Sequence, residues 1–249
     1  MLRAQGAHGR APDFTVERGF VGTRDVITVD GLGASGKSAL AMLLAKKLGY
    51  GHLNSGLLYR AAGWLVLQEQ RDVERCEDVV EVVGRHSIEL QQGAELGSVV
   101  LIDGIVRDRE LASAEVSHAA SAVAKHQPLR DAFLDAQRNA FAPNGVVAEG
   151  RDMGTIIFPD ARIKFFVEGD LDVRAHRRWM QVAGTPHEVT LDSIRQALAE
   201  RDERDATRAV APMKPAEGAI IIDNSKDPLH EVVERMYQIV TGANHSSVL

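Results

Sequence analysis

Lys37 and Ser38 close a run, Gly31-Leu32-Gly33-Ala34-Ser35-Gly36-Lys37-Ser38, that fits G-x-x-x-x-G-K-[ST] without a mismatch. An apolar segment from Val26 leads into it, and a helical pattern, Ala39 to Leu48, follows. A glycine-rich turn between strand and helix aims several backbone N–H groups and the positive end of a helix at one point, which is what a polyphosphate needs. In that setting the backbone from Gly31 through Gly33, Ala34, Ser35 and Gly36 would cradle the phosphates. Lys37 would reach the β- and γ-phosphates, and the Ser38 hydroxyl would sit on Mg²⁺. The chain is expected to bind a nucleoside triphosphate.

Further strings carry charge where such a ligand could use it. In Glu149-Gly150-Arg151-Asp152-Met153-Gly154, two acids and an arginine follow an apolar run, at the carboxyl end of a predicted strand, where ligands of parallel α/β sheets sit. Glu149 could support Mg²⁺ through water and Arg151 could pair with phosphate oxygens; the competing reading is a loop with a surface Arg–Asp pair. In Glu200 to Arg208, helical spacing sets Arg201, Asp205 and Arg208 on one face, with Arg204 beside them. That face could bind a phosphate and read a sugar or base, or it could be solvated and laced with ion pairs. Arg174, Arg177 and Arg178 share a face of a helix that precedes a flexible turn. They read as arginines that swing over a triphosphate, against a plain solvated surface. Asn54 to Arg60 reads on its own as an ordinary helix start, capped by Asn54 or Ser55. Tyr59 and Arg60 would emerge one turn on, able to stack on or clamp a second substrate.

The elements that must position these residues alternate in type. Runs 145–149, 163–167 and 219–223 are short and rich in branched or aromatic residues, as buried parallel strands are. Helical patterns span Leu129 to Phe141, Leu171 to Val182, Leu191 to Ala206 and Leu229 to Val240. Together they predict an α/β fold with a mostly parallel sheet. The rhythm breaks where Ser87 to Gln91 and Val99 to Ile102 read as a hairpin, within an inserted α+β subdomain at about residues 84–125. Residues 183–188, between two helices, look like the tip of a mobile lid.

Bulk properties exclude several classes. The 249 residues are 45% apolar and 26% charged, the balance of a soluble globular chain. A net charge of −6 gives no global field toward nucleic acid or anionic membrane. The single cysteine, Cys76, excludes an intramolecular disulfide and any C-x-x-C metal site, and reads as a small apolar helix residue. The nine histidines show no metal-ligand spacing. No apolar run reaches the roughly 18 residues of a membrane span. Residues 1–24 lack the apolar centre of a signal peptide and read as a flexible extension before a domain at 25–245. A cytoplasmic monomer that binds neither nucleic acid nor membrane is expected.

Taken in order, these strings resemble bacterial cytidylate kinase, a nucleoside monophosphate kinase of the P-loop type, from about residue 25 to 240. Ser55-Gly56-Leu57-Leu58-Tyr59-Arg60, the run Gly150 to Ala161 and the run Glu200 to Pro212 carry the resemblance. It implies a P-loop core, a monophosphate-binding region with the insert, and a short lid at about 176–190. It also implies ATP and Mg²⁺ as co-substrate and metal, and transfer of the γ-phosphoryl group to CMP or dCMP. The family's substrate residues carry over to Ser55, Tyr59, Arg60, Ser121, Arg130, Arg151, Asp152, Arg201, Asp205 and Arg208. By that resemblance Arg60, Arg130 and Arg151 address the monophosphate, Ser121, Arg130 and Asp152 the cytosine, and Asp205 the sugar hydroxyls. Lys37, Arg151, Arg174 and Arg178 are the expected catalytic set. The sequence departs from the family pattern with Asn54 and Glu149 in place of aspartates, Leu32 in place of a proline, and Ala112 in place of an arginine. Ser38 stands where the family has glycine or serine. Other readings are a same-fold kinase acting on UMP or another small phosphorylated acceptor, and a non-catalytic nucleotide-binding relative. A P-loop regulatory switch would need an N-K-x-D guanine reader, which the chain lacks.

Overall fold

The computed structural model describes residues 25–93, 97–140, 144–184 and 189–242. The predicted N-terminal extension, the hairpin turn at 94–96, the helix end at Phe141, lid-tip residues 185–188 and the segment beyond 242 lie outside the described residues.

Five short strands form one parallel sheet: β1 (Val26–Gly31), β2 (Gly51–Asn54), β6 (Val146–Glu149), β7 (Ile163–Glu168) and β8 (Ile220–Asp223). Their order is β2-β6-β1-β7-β8. The inner strands of a parallel sheet are covered on both faces, and Ile27, Val29, Val146, Val147 and Val167 are all fully buried. Strand β2 pairs parallel to β6 with Asn54 opposite Glu149, and Glu149 is also level with Val29 of β1. The register therefore brings the carboxyl ends of β2, β6 and β1 together, and every strand-end residue singled out above stands at that edge.

The helix α1 (Lys37–Leu48) begins two residues before the predicted start, because Gly36 turns the chain into it with φ of 85°. A side chain at Gly36 would also strike the amide of Asn224, 2.6 Å from the ideal Cβ. Helices α1 and α8 (Leu229–Thr241) cover one sheet face through Leu40, Leu44, Val232 and Met236. On the other face Leu53 and Ala148 meet Met153 and Ile157 of a π-helical turn, Met153–Ile157.

A second core joins α2 (Gly56–Gln68), α3 (Cys76–Val83), α4 (Ala114–Val123) and α5 (Gln127–Asn139) to an antiparallel sheet. That sheet comprises β3 (Ile88–Gln92), β4 (Ser98–Ile102) and β5 (Ile105–Val106), the first two forming the predicted hairpin. Phe133 is fully buried here, worth about 1.5–3 kcal/mol by area alone. Helices α2 and α4 touch backbone to backbone: a Cβ on Gly63 would lie 2.9 Å from Ala120 N and 3.0 Å from the Ala119 carbonyl carbon. Ser98 ties the hairpin to the main sheet, accepting from Asn54 N at 2.9 Å and donating to the His52 carbonyl. A third, small cluster packs α6 (Leu171–Val182) on α7 (Leu191–Thr207) through Ala175, Ile194 and Leu198. Asp170 caps α6 and Thr190 caps α7, each side chain accepting first-turn amides. No helix among the described residues is long and apolar enough to cross a membrane.

Candidate active site

Between β1 and α1 the glycine-rich loop wraps a lysine that is 8% exposed. Lys37 Nζ donates to the Leu32 carbonyl at 3.1 Å, so the side chain curls back over its own loop. Burial, and the positive charges of Arg151 and Arg201, push its pKa down to about 7 against the pull of Glu149 and Asp205. Ser38 is exposed at the mouth. Glu149, 1% exposed, points into the same region with His52 Nε2 3.5 Å from one oxygen. Neither Glu149 oxygen has a hydrogen-bond partner among the described residues. Burial pushes this carboxyl up, yet His52 and Lys37 outweigh it and the net shift is downward. A buried, ionised carboxylate with open lone pairs beside a loop hydroxyl fits the outer shell of a hydrated Mg²⁺. No group of three or more acids, histidines or cysteines among the described residues could hold a metal alone, so phosphate and water would supply the rest.

Two cavities meet at this edge. The larger, about 550 Å³, is lined by Ala34, Gly36, Lys37, Ser38, Glu149, Arg177 and Arg178 among others. The smaller, about 70 Å³, is lined by Ser55, Tyr59, Arg60, Ser121, Arg130, Arg151, Asp152, Arg201, Asp205 and Arg208. Those are the substrate residues expected from sequence, converging from α2, α4, α5, the turn after β6, and α7. Arg60, Arg151 and Arg201 line both cavities.

The smaller cavity is built from paired charges. Arg130 and Asp152, each about 5% exposed or less, form a buried ion pair, and Arg130 also donates to the Ala124 carbonyl at 3.2 Å. Arg208 approaches Asp152 at 3.9 Å and donates to the Ala211 carbonyl at 2.8 Å. Asp205 accepts from Ser121 at 2.7 Å and from Arg151 Nε at 3.0 Å. At 2% exposure Asp205 is no solvated helix residue, which removes the bland reading of this face. The surface-pair reading of Arg151 and Asp152 fails too, since each turns to a different buried partner. Arg60 reaches the Leu111 carbonyl at 2.7 Å and Ser117 at 3.0 Å, and Arg201 reaches Ser117 at 2.6 Å. Burial, with Arg178 and Arg151 nearby, lowers Arg60 to about 10, and burial with Arg151 lowers Arg201 likewise to about 10. The guanidinium groups thus crowd one another, and Arg201 Nε has no hydrogen-bond partner among the described residues.

Several expectations take another form. Of the two expected caps of α2, Ser55 holds the cap position but its Oγ donates to the Glu149 carbonyl at 2.8 Å, and it is Asn54 Oδ1 that accepts Gly56 N at 3.1 Å. Tyr59 does not emerge but is 7% exposed, its ring edge-on to Phe133 with centroids 5.5 Å apart. Arg174 is not a loose arm, being 5% exposed and held by the carbonyls of Gly169 and Gly33 and by Asp202. Arg177 donates to the Asn224 carbonyl at 2.7 Å and Arg178 to Gln181 at 3.0 Å.

Four supporting residues escaped the sequence reading: Asp30, Ser117, Asp202 and Asn224. Asp30, 2% exposed, accepts the amides of Met153 and Gly154 at 2.8 Å each, which fixes the turn bearing Arg151 and Asp152. Asn224 Nδ2 holds the Ser35 carbonyl at 2.8 Å. An acid ending a buried strand, and an acid at i+4 from buried Leu198, were the available signals for Asp30 and Asp202.

A model of the cytidylate kinase family matches residues 27–242. The chain is 38% identical over 215 residues to a cytidylate kinase of Vibrio vulnificus, covering 86% of this chain and 95% of that protein. A cytidylate kinase of Vibrio cholerae is 39% identical over the same length and shares of the two chains. One from Bacillus cereus is 35% identical over 216 residues, covering 87% of this chain and 96% of that protein.

Proposed function

The chain belongs to the cytidylate kinase family, and from that premise we propose a residue-level account of how it moves the γ-phosphoryl group of ATP to CMP or dCMP, giving CDP or dCDP and ADP. The observation that carries the account is the shared wall of Arg60, Arg151 and Arg201 between the two cavities. Arg60 and Arg201, whose pKa values burial and the Arg151 charge lower, are relieved by an anion, and two polyanionic substrates would meet there.

The larger cavity takes ATP, with the backbone of residues 31–38 around its phosphates and Lys37 on the β- and γ-oxygens. A triphosphate would restore full charge to Lys37, whose pKa burial has lowered. Ser38, and Glu149 through water, would hold Mg²⁺, which would supply positive charge against the phosphates. The smaller cavity takes the acceptor. Arg60, Arg130, Arg151 and Arg201 neutralise its phosphate, Ser121, Arg130 and Asp152 face the cytosine, and Asp205 meets the sugar hydroxyls with Arg208 alongside. Ser55 and Tyr59 shape its floor. The acceptor phosphate is already ionised, so no side chain need remove a proton from it. Catalysis then reduces to placing two phosphates in line and matching their charge. Arg174 and Arg178 on α6 would close on the transferring group, with residues about 176–190 acting as the lid and 84–125 as the acceptor-side insert.

Release of ADP from ATP, followed by a coupled assay with CMP, dCMP, UMP, AMP and GMP, tests the assignment. CMP and dCMP should exceed AMP and GMP by several orders of magnitude, because a purine does not match the size and polar edge that Arg130, Asp152 and Ser121 would read in a pyrimidine. UMP should lose by a smaller factor, since its pyrimidine ring differs at one edge. Equal use of AMP would sink the assignment.

A further inference from the structure

Asp202 follows Arg201 on α7, yet it faces away from the acceptor cavity. Ile194 and Leu198, two turns and one turn before it, are buried against Ala34 and Ala175, and Asp202 continues their stripe toward the phosphate-binding loop. One carboxylate oxygen accepts the backbone N–H of Gly33 at 3.0 Å. The other accepts Arg174 Nη1 at 2.5 Å, and the same Nη1 donates to the Gly33 carbonyl at 2.9 Å. The side chains of Arg174 and Asp202 are 6% and 14% exposed.

Gly33 N–H belongs to the loop that cradles the triphosphate, and Arg174 belongs to the set that would close on it. A carboxylate satisfying both has the charge and the acceptor geometry of a phosphate oxygen. It also spares Arg174 the cost of standing desolvated and unpaired. A triphosphate seated on this loop would compete with the carboxylate for the Gly33 amide, and the two anions would repel.

We propose that Asp202 is a positioning residue that holds Arg174 on the phosphate-binding loop as an internal stand-in for the triphosphate, and that ATP displaces it and takes over both partners. This rests on the reading of residues 31–38 as the donor site. The arrangement ties delivery of Arg174 to arrival of the donor, which limits loss of the phosphoryl group to water.

Calorimetric titration of ATP without acceptor reads the proposal. Asp202→Asn and Asp202→Ala should bind ATP about tenfold more tightly than wild type, because the internal competitor is gone. Asp202→Glu should restore wild-type affinity, and the KM for CMP should stay put in all of them. Unchanged or weaker ATP binding in a folded Asn or Ala variant overturns the proposal. Wild-type protein offers a test that no misfolded variant can spoil: inorganic tripolyphosphate should shift the Arg174 Nε NMR resonance, and a resonance unmoved at saturation overturns it as well. Lys37→Ala separates the two readings, since ATP binding unaffected by that change would strike at the donor site itself.

Discussion

Replacing Asp205 with alanine tests whether the α7 face is a working surface. Its side chain is 3% exposed and sits 3.0 Å from Arg151 Nε and 3.8 Å from Arg201 Nε, with Ser121 donating to it at 2.7 Å. Removing one partner of a buried ion pair costs about 3–5 kcal/mol, and the lost charge-assisted hydrogen bond is part of that cost. Arg151 and Arg201 are 16% and 24% exposed, so both can recover some hydration, which favours the lower end, about 3 kcal/mol. At 2–4 °C per kcal/mol for a chain of this size, the melting temperature should fall by roughly 6–12 °C. The KM for CMP should rise at least tenfold while that for ATP moves less than twofold. Burial raises the Asp205 pKa, but Arg151 and Arg201 more than reverse it, so the folded value lies below the unfolded one. Its contribution is therefore present at neutral pH and lost as pH falls through that lowered value, and wild type and variant should converge in acid. Thermal melting at pH 7 and below 4, with steady-state kinetics at pH 7, supplies the data. A stability change within about 0.5 kcal/mol together with an unchanged KM for CMP would refute the reasoning, since a solvated helix position behaves that way.

Lys37→Ala should lower kcat by a factor on the order of 10²–10³, the scale for one donor to charge that grows during transfer. Because burial and Arg151 already disfavour the charged lysine, melting should not fall, and near-normal turnover would remove Lys37 from the chemistry. Asp30 titrates with the opposite sign to Asp205. Burial lifts it from 3.8 to about 7 despite its two amide hydrogen bonds, so the stability it adds is complete below 3.8 and disappears as pH rises through about 7. Relative to Asp30→Asn, wild type should lose up to roughly 1.4 kcal/mol per pH unit across that window, and parallel urea-denaturation profiles from pH 5 to 7 would contradict this.

The strands β1, β6, β7 and β8 were legible because each is a compact apolar run with punctuation after it. Strand β2 was not: Gly51-His52-Leu53-Asn54 holds one large apolar residue, and it becomes a strand through pairing with β6. The π-helical turn was equally hidden, since it depends on the Asp30 carboxylate collecting two amides from a segment more than a hundred positions away. Spacing alone put Arg201, Asp205 and Arg208 on one face but left open whether that face met water. Burial against Ser121 and Arg151 decided it, and those partners lie 84 and 54 positions distant. Asp202 lies in the same run from Glu200 to Arg208 but on another helical face, so the spacing that groups Arg201, Asp205 and Arg208 does not include it. Local chemistry thus announced which side chains were available, while long-range pairing determined which of them were held ready.

The missing Cβ at Gly63 bears on how a nucleotide gains entry. With the backbones of α2 and α4 in contact, Tyr59, Arg60, Ser117 and Ser121 belong to one jaw that cannot slide apart. The opposing jaw, α7 and the turn carrying Arg151, meets it through Ser117–Arg201 and Ser121–Asp205 hydrogen bonds. The gap between them, about 70 Å³, is well under the roughly 300 Å³ at the small end of ligand sites, so on the function proposed above the jaws would part to admit the acceptor. What separates is a polar seam whose bonds can be exchanged with water. Opening it would leave the cores on either side, one around Phe133 and one around Ile194 and Leu198, with their packing intact.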